Sequence, residues 1–330
     1  MKKMLLFAFV LFAVDHSWSQ SHGFKISEMF PVDASHSYIG FNVKYMGYAM
    51  VRGRFTNFRG AVRFDEKDLK KTSVTMVIDA SSISTGDSWR DDDLRSDNWL
   101  GVQNHPRIHF ESKEAEVTKA GLSITGDLMM HGNTKEISIP LDRPIGVVKD
   151  VRGDSQIIFT GMLVVNRSDF GIEGKKWAGF VEGITAVSDE VKIELTILGK
   201  RINAENFKNW VENVATPLGK VYHVARTQGV RQAIATFDSL RREASTKVDA
   251  ETLNTAGQML LKENKVQDAL ALFNKNVAVY PDKSIVYESY GEALATAGRW
   301  EDAMKYYKKA IEKDEWSVVA REVLKTLKVN

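Results

Sequence analysis

The chain has 330 residues, enough for two domains with separate hydrophobic cores. Its 45 Lys and Arg residues against 43 Asp and Glu leave a formal net charge of +2, whereas a nucleic-acid-binding protein normally carries a marked basic excess. The sequence contains no cysteine, which excludes disulfide bonds, thiol catalysis and Cys-ligated metal centres.

The N-terminus has the pattern of a secretory signal peptide. Two lysines precede the apolar run Met4–Val14, and small residues follow at Ser17 and Ser19. The run is too short to cross a hydrocarbon core about 30 Å thick as a helix. We therefore predict a signal peptide over residues 1–19, cleaved before Gln20, and a mature protein that is periplasmic or secreted.

Between Phe24 and Lys200 apolar side chains recur at every second position. The alternation is clear at 39–45, 74–79 and 191–197, and turn-forming residues separate these runs. Many short strands without long helices between them are typical of an antiparallel sandwich or barrel with an apolar interior. We assign this β domain to residues 24–200.

One short helix is expected within the β domain. Ser88 and Asp91 have the spacing of a capping box, with Ser88 as the N-cap. Asp91, Asp92 and Asp93 then lie in the first turn, where negative charge suits the helix dipole. The alternative is a site for a divalent cation, which adjacent helical residues disfavour because their carboxylates point in different directions.

The period becomes helical after the β domain. The pairs that recur 34 residues apart are Gly257 and Gly291, Leu260 and Leu294, Ala269 and Ala303, and Phe273 and Tyr307. This period predicts an all-α domain of tetratricopeptide (TPR) repeats over residues 246–330. We assign residues 201–245 to a junction and a degenerate earlier repeat.

A series of short motifs in the β domain matches a known family in order and spacing. The matching segments are Asp33–Ser37, Ile39–Phe41, Val51–Phe55, Phe58–Gly60, Thr85–Gly86, Arg90–Asp91, Leu94–Ser96, Pro106–Ile108, Phe110–Ser112, Gly126–Leu128, His131–Lys135 and Asn166–Gly171. Over about residues 33–197 the chain resembles the YceI-like, polyisoprenoid-binding family. Two departures are Asn98–Gly101, where the family usually has an acid–Phe–Phe–acid run, and Met129, where Thr is usual. The first bears on the mouth of the cavity, and so on the identity of the ligand more than on the fold.

The resemblance implies an antiparallel, lipocalin-like β-barrel that holds an isoprenoid lipid, such as a polyprenyl or quinone tail. The interior of a barrel of about eight strands accommodates either packed side chains or one slim ligand. Burial of a tail contributes about 0.8 kcal/mol per CH₂ group without any polar contact. A solid core made by the same side chains is the alternative, and periodicity does not distinguish the two.

The predicted ligand contacts are the apolar side chains of the alternating strands. They are Ile39, Phe41, Val43, Val62, Phe64, Met76, Ile78, Phe110, Ile124, Leu128, Ile139, Phe159, Ile193 and Leu195. Trp99 and Trp177 are candidates for the mouth of the cavity.

Catalytic and metal-binding motifs do not stand out. The sequence has no nucleophile elbow, phosphate-binding loop, dinucleotide fingerprint or zinc-peptidase helix, so we predict no enzyme activity and no cofactor besides the bound lipid. A metal site at His105 and His109, which His131 could join, is the alternative to solvated or capping histidines. We prefer hydrogen-bonding roles at hairpins for His36 and His131, and predict no metal site.

Two functions from different classes are consistent with these features. The first is an exported protein that sequesters or transports an isoprenoid lipid or quinone, with the TPR domain binding an unidentified protein. The second is an interaction scaffold in which the barrel is structural and the TPR groove binds the partner. The TPR domain could also dock on the barrel or form a homodimer. Nucleic acid is not an expected partner.

Overall fold

The computed structural model describes residues 28–174, 186–201, 216–243 and 248–328. The predicted signal peptide, Trp177 and residues 202–215 of the predicted junction therefore lie outside the described residues. Within these ranges, no helix has both the length and the apolar composition that crossing a membrane requires.

Alternating side chains form strands throughout the N-terminal half. The strands are β1 (Met29–Pro31), β2 (Tyr38–Tyr45), β3 (Ala49–Phe55), β4 (Phe58–Arg63), β5 (Ser73–Asp79), β6 (Ile83–Ser84), β7 (Arg107–Val117), β8 (Gly121–Met130), β9 (Asn133–Asp142), β10 (Val148–Lys149), β11 (Ser155–Asn166) and β12 (Val187–Arg201). Every pairing between them is antiparallel. The expected antiparallel β domain is confirmed.

The strands form one curled sheet in the order β1-β4-β5-β7-β8-β9-β11-β12-β2-β3-β6, with β10 paired to β11. Val32, directly after β1, forms a bridge with Gly199 of β12. The adjacent Asp33 N–H donates to the carbonyl of Leu198 at 2.8 Å. Strand β1 therefore lies between β4 and β12 and closes one end of the curled sheet.

The interior has two parts. At the closed end, a cluster of apolar side chains includes Phe30, Val62, Leu122, Ile124 and Ile157, each at most 1 % exposed. Interiors packed in this way behave as solid cores. A second cluster, around Phe41, Trp99 and Phe170, occupies the other end.

The described residues form one helix within the β domain and a run of helices after it. They are α1 (Ser88–Arg95) within the β domain, and α2 (Pro217–Thr227), α3 (Val230–Arg242), α4 (Ala250–Lys262), α5 (Val266–Val279), α6 (Ser284–Thr296), α7 (Trp300–Lys313) and α8 (Val318–Lys328). The predicted N-cap of α1 is wrong by one residue. Asp87 is the cap, because its carboxylate accepts the N–H of Arg90, and Ser88 is the first helical residue.

Small residues and rings that recur along the repeats pack against each other. A Cβ added to Gly257 would lie 2.7 Å from the ring of Phe273, and one added to Gly291 would lie 3.2 Å from the ring of Tyr307. Glycine thus lets the paired helices α4 and α5, and α6 and α7, approach closely. This packing is the physical reason for the 34-residue period.

The helical region docks on the outer face of the curled sheet. Helix α8 packs against β4 and β5. Met29, Ala61 and Val77, which point outward from the sheet, belong to the same apolar core as the helices. Arg59 of β4 forms an ion pair of 2.5 Å with Asp314, next to α7. The two halves thus share an interface.

Candidate functional site

The open end of the curled sheet contains an apolar cavity of about 350 Å³. It lies between β2, β3 and β12 on one side and α1 on the other, away from the end that β1 closes. The lining residues are Phe41, Val43, Tyr45, Val51, Phe55, Ile83, Asp87, Trp89, Arg90, Asp93, Leu94, Trp99, Leu100, Met130, Val165, Arg167, Ile172, Val187, Val191 and Ile193. Apart from two Asp and two Arg residues, the lining is apolar or aromatic. A volume of this size falls in the range of small-molecule sites.

The structure brings four of the predicted contact residues together at this cavity. Phe41 and Val43 face it from β2, Ile193 faces it from β12, and Trp99 forms part of its wall. Ile193 is the register partner of Phe41 across the β2–β12 pair. Sequence alternation therefore identifies residues that are far apart in the chain and lie on one surface.

The other predicted contact residues pack in or against the core at the closed end. They are Ile39, Val62, Phe64, Met76, Ile78, Phe110, Ile124, Leu128, Ile139, Phe159 and Leu195. Trp177 lies outside the described residues. The alternating side chains thus form a packed core at one end of the barrel and line a cavity at the other.

A glycine on β3 makes room for the ring that forms the cavity floor. A Cβ added to Gly53 would lie 2.3 Å from Cζ of Phe41 and 2.9 Å from Cγ2 of Thr85. The edge of the Phe41 ring therefore lies directly over the backbone of β3 at Gly53, and the ring centroid is 6.1 Å from that of Phe55. A side chain at position 53 would push the Phe41 ring into the cavity and make the cavity shallower.

Trp99 is held in one orientation by contacts on several sides. Its Nε1–H donates to the Asp93 carboxylate at 2.8 Å. The Arg167 guanidinium lies 5.3 Å from the ring centroid. Gly174, in the left-handed region at φ 61°, approaches the ring where a Cβ would clash. Trp99 is 6 % exposed and is a fixed wall of the cavity.

The guanidinium of Arg167 is hydrogen-bonded to backbone carbonyl groups. It donates to Ile172 at 2.5 Å, to Ser188 at 3.1 Å and to Val187 at 3.2 Å. Burial lowers the pKa of Arg167, and the carboxylates of Asp189 and Glu173 oppose that effect. These bonds join the loop after β11 to the start of β12, so we assign Arg167 a structural role in the cavity wall.

The three consecutive aspartates of α1 have three different partners. Asp91 is buried and accepts from the N–H of Thr85 at 2.8 Å and from its hydroxyl at 2.6 Å. Asp92 pairs with Arg95, and Asp93 bonds Trp99. Their carboxylates diverge. In the part of the chain that the structure describes, no group of three or more His, Asp or Glu side chains could hold a metal ion.

Of the three histidines considered as metal ligands, two lie side by side and the third lies apart. The His105 ring packs edge-on against His131 at 4.5 Å, and Nδ1 of His131 lies 3.2 Å from the Phe170 carbonyl. His109 instead packs against Trp316, before α8, at 4.9 Å. His36 bonds the Asp33 carboxylate at 2.9 Å. The hydrogen-bonding roles expected for His36 and His131 are what the structure displays.

Sequence reasoning missed the residues at the opening of the cavity. Tyr45 continues the alternation of Phe41 and Val43 along β2, so its position could have been read from the pattern. Val51 and Phe55 follow the same rule on β3. Trp89 carries no such signal, because its contribution depends on where α1 lies over the sheet.

Comparisons with known proteins agree with the two-part architecture. A family model described as a YceI-like domain matches residues 30–198, and one described as a tetratricopeptide repeat matches residues 254–316. A UPF0312 protein of Pseudomonas aeruginosa is 32% identical over 169 residues, which are 51% of this chain and 84% of that protein. Another, from Vibrio parahaemolyticus, is 32% identical over 139 residues, 42% of this chain and 73% of that protein.

Solved structures of similar shape cover the β domain. Burkholderia cenocepacia BcnA is 24% identical with a TM-score of 0.43, over 51% of this chain and 99% of that chain. A polyisoprenoid binding domain from Saccharophagus degradans is 16% identical with a TM-score of 0.39, over 51% of this chain and 96% of that chain.

Proposed function

The chain belongs to the YceI-like domain family, and we propose that it is a binding protein that carries an isoprenoid lipid in its apolar cavity. The observation that carries the proposal is the cavity itself. Sixteen of its twenty lining residues are apolar or aromatic, and its two Asp and two Arg residues balance in charge. An uncharged hydrocarbon tail suits such a lining, whereas a polar substrate would leave its hydrogen bonds unmade.

The dimensions of the cavity specify how such a ligand sits. The solid core at the closed end stops a tail from threading the whole barrel, so the cavity encloses one end of the ligand. Ten buried carbons correspond to roughly 8 kcal/mol before the cost of association. A few isoprene units are therefore sufficient for useful affinity, and the rest of the lipid extends from the open end.

Lipid mass spectrometry tests the proposal directly. The chain is expressed with its N-terminus intact, purified without detergent and extracted. We expect a stoichiometric isoprenoid in the wild type and in Val164→Asp, whose side chain is exposed on the outer face of β11. Ile193→Asp places a carboxylate in the cavity and should lose the lipid. Val187→Trp fills the cavity without adding charge, and covers the case in which Ile193→Asp fails to fold.

Two results would argue against a carrier. One is a wild-type protein that is empty and stays empty after incubation with quinones. The other is lipid retained by both cavity variants. Either would favour the scaffold function, in which the barrel is structural and the helical repeats bind a protein partner. In that case, deletion of residues 246–330 would abolish the protein's function in the cell. The cavity variants would leave that function unchanged.

Export and partner binding are further parts of the proposal. The pattern of residues 1–19 supports cleavage before Gln20, which N-terminal sequencing of the protein from a periplasmic or culture fraction tests. The TPR match supports a protein partner. Because α8 already packs on the barrel, we place that partner, or a second copy in a homodimer, on a face of the repeats that the barrel leaves open.

A further inference from the structure

Exposed apolar side chains lie at the opening of the cavity and on the hairpin tip beside it. We call them the mouth patch: Tyr45, Tyr48, Met50 and Trp89. Tyr45 and Trp89 line the cavity and are 36% and 69% exposed. Tyr48 and Met50 are at the tip of the β2–β3 hairpin and are 87% and 44% exposed. Met50 is the register partner of Lys44, so its side chain lies on the face of the hairpin opposite to Tyr45. Single exposed apolar residues are ordinary on a protein surface, but a group at one opening and on the adjoining hairpin tip indicates an interaction site.

The hairpin presents its apolar tip on a defined backbone. Met46 and Gly47, with φ of 50° and 80°, make the turn between the two strands. Strands β2 and β3 pair up to Tyr45 and Ala49, directly at this turn. Ordering the tip on binding therefore costs little conformational entropy, in contrast to a long loop.

The chemistry of the patch points to a lipid surface. Tyr and Trp combine an apolar ring with a polar edge and are enriched where hydrocarbon meets water. The charged residues that line the opening balance, with Asp87 and Asp93 against Arg90 and Arg167. The exposed basic side chains of the β2–β3 hairpin lie on the face turned away from the cavity, so the lining itself offers no basic cluster to anionic headgroups. Zwitterionic lipid is therefore the matching surface.

Transfer of an isoprenoid lipid into the cavity also favours contact between the opening and a lipid surface. This step rests on the proposed function. An isoprenoid tail that crosses water loses about 0.8 kcal/mol for every exposed CH₂ group. We propose that the mouth patch docks on the surface of a lipid bilayer, so that the tail passes between bilayer and cavity without entering water.

The test uses a variant that leaves the cavity lining unchanged. Tyr48→Ser combined with Met50→Ser removes two patch side chains that do not line the cavity. Met162→Ser combined with Val164→Ser is the matched control, because those side chains are 67% and 54% exposed on the outer face of β11. Binding to quinone-free phosphatidylcholine vesicles is measured by co-sedimentation. Extraction of a long-chain quinone from such vesicles, and uptake of a short-chain quinone from solution, are measured separately.

We expect the wild type and the control to bind vesicles, with little dependence on salt. The patch variant should bind and extract about tenfold less, a change of about 1.4 kcal/mol, while its uptake of the short-chain quinone is unchanged. Equal vesicle binding by the wild type and the patch variant would overturn the docking proposal. So would a patch variant that dissociates a dimer and leaves vesicle binding as it was.

Failure of the carrier function has a different signature. A protein that takes up neither quinone overturns the proposed function, whereas co-sedimentation with quinone-free vesicles still reports on the patch. A wild-type protein that takes up the short-chain quinone from solution but does not co-sediment with vesicles overturns the docking proposal alone.

Discussion

The carboxylate of Glu322 accepts a hydrogen bond of 2.8 Å from the hydroxyl of Thr75, and thereby joins the last helix to strand β5 of the barrel. It also accepts from Ser73 and pairs with Lys325 at 2.7 Å. The Glu322 side chain is fully buried. A buried acid with this many partners is costly to disturb, because removal of one member leaves the others desolvated and unpaired.

Replacement of Glu322 should therefore loosen the interface between barrel and repeats. We expect Glu322→Ala to lower the free energy of unfolding by about 3–5 kcal/mol and to expose α8 to protease. Urea denaturation and limited proteolysis measure both effects. Glu312→Ala, at an exposed position of α7, is the control, and an equal response of the two variants would contradict this role.

His109 should make the same interface sensitive to acid. It is 9 % exposed, and burial, followed by the charges of Arg321 and Lys325, lowers its pKa from 6.5 to about 4. Its Nε2 lies 4.0 Å from the Glu111 carboxylate, beyond hydrogen-bond distance, and Glu322 pairs with Lys325 nearby.

Between these two pKa values the unfolded chain binds the proton and the folded chain does not. The free energy of unfolding should therefore fall as the pH drops from about 6.5 to about 4, by at most about 3 kcal/mol, and this contribution should level off below that range. Stability measured against pH in His109→Phe should lack this component. His223→Phe, at an exposed site on α2, should keep it, and identical profiles for both variants would refute the assignment.

The floor of the cavity depends on Gly53. Its φ is not in the left-handed region, so alanine fits the backbone, but its Cβ would displace the Phe41 ring toward the cavity. We expect Gly53→Ala to weaken quinone binding about tenfold, or about 1.4 kcal/mol, with a small effect on folding. Titration with a short-chain quinone measures the loss. Phe41→Leu in the same chain should restore binding, and a loss without rescue would argue against this explanation.

Two neighbouring aspartates of α1, Asp91 and Asp92, should differ in their contribution to stability. Asp91→Ala removes the carboxylate oxygen that accepts both hydrogen bonds from Thr85 and should destabilise the protein by about 2–3 kcal/mol. Asp92→Ala, at a side chain that is 77% exposed, should stay within about 0.5 kcal/mol of the wild type. Thermal unfolding compares them. A rise in melting temperature with calcium that both variants abolish would instead favour the cation site.

The sequence pattern alone is sufficient to predict the two types of domain. Period-two alternation predicts strands such as β2 and β12, because one face of each meets the apolar interior. The 34-residue recurrence predicts the repeats, because Gly257 and Gly291 must accommodate the rings of Phe273 and Tyr307. These signals are local or periodic, so a single sequence contains them.

The position of the cavity along the barrel could not be predicted in the same way. Ile39 and Phe41 belong to one alternating set, yet Ile39 packs in the closed core and Phe41 lines the cavity. Ile39 lies nearer than Phe41 to the bridge from Val32 to Gly199, which joins distant parts of the chain. The same holds for Trp89 and Glu322, whose surroundings are set by the packing of helices on the sheet.

The pairing of β2 with β12 also sets an order of events during synthesis. Asn42 donates to Glu194 across a separation of 152 residues, so β2 lacks this neighbour until most of the β domain has been made. Each helical repeat, in contrast, closes through contacts nearby in sequence and can fold quickly once it emerges. The C-terminal helix α8 then reaches β4 and β5 last. A chain cut short before β12 would display the edge of β2 as a template for aggregation, while loss of α8 would spare the barrel's own pairing.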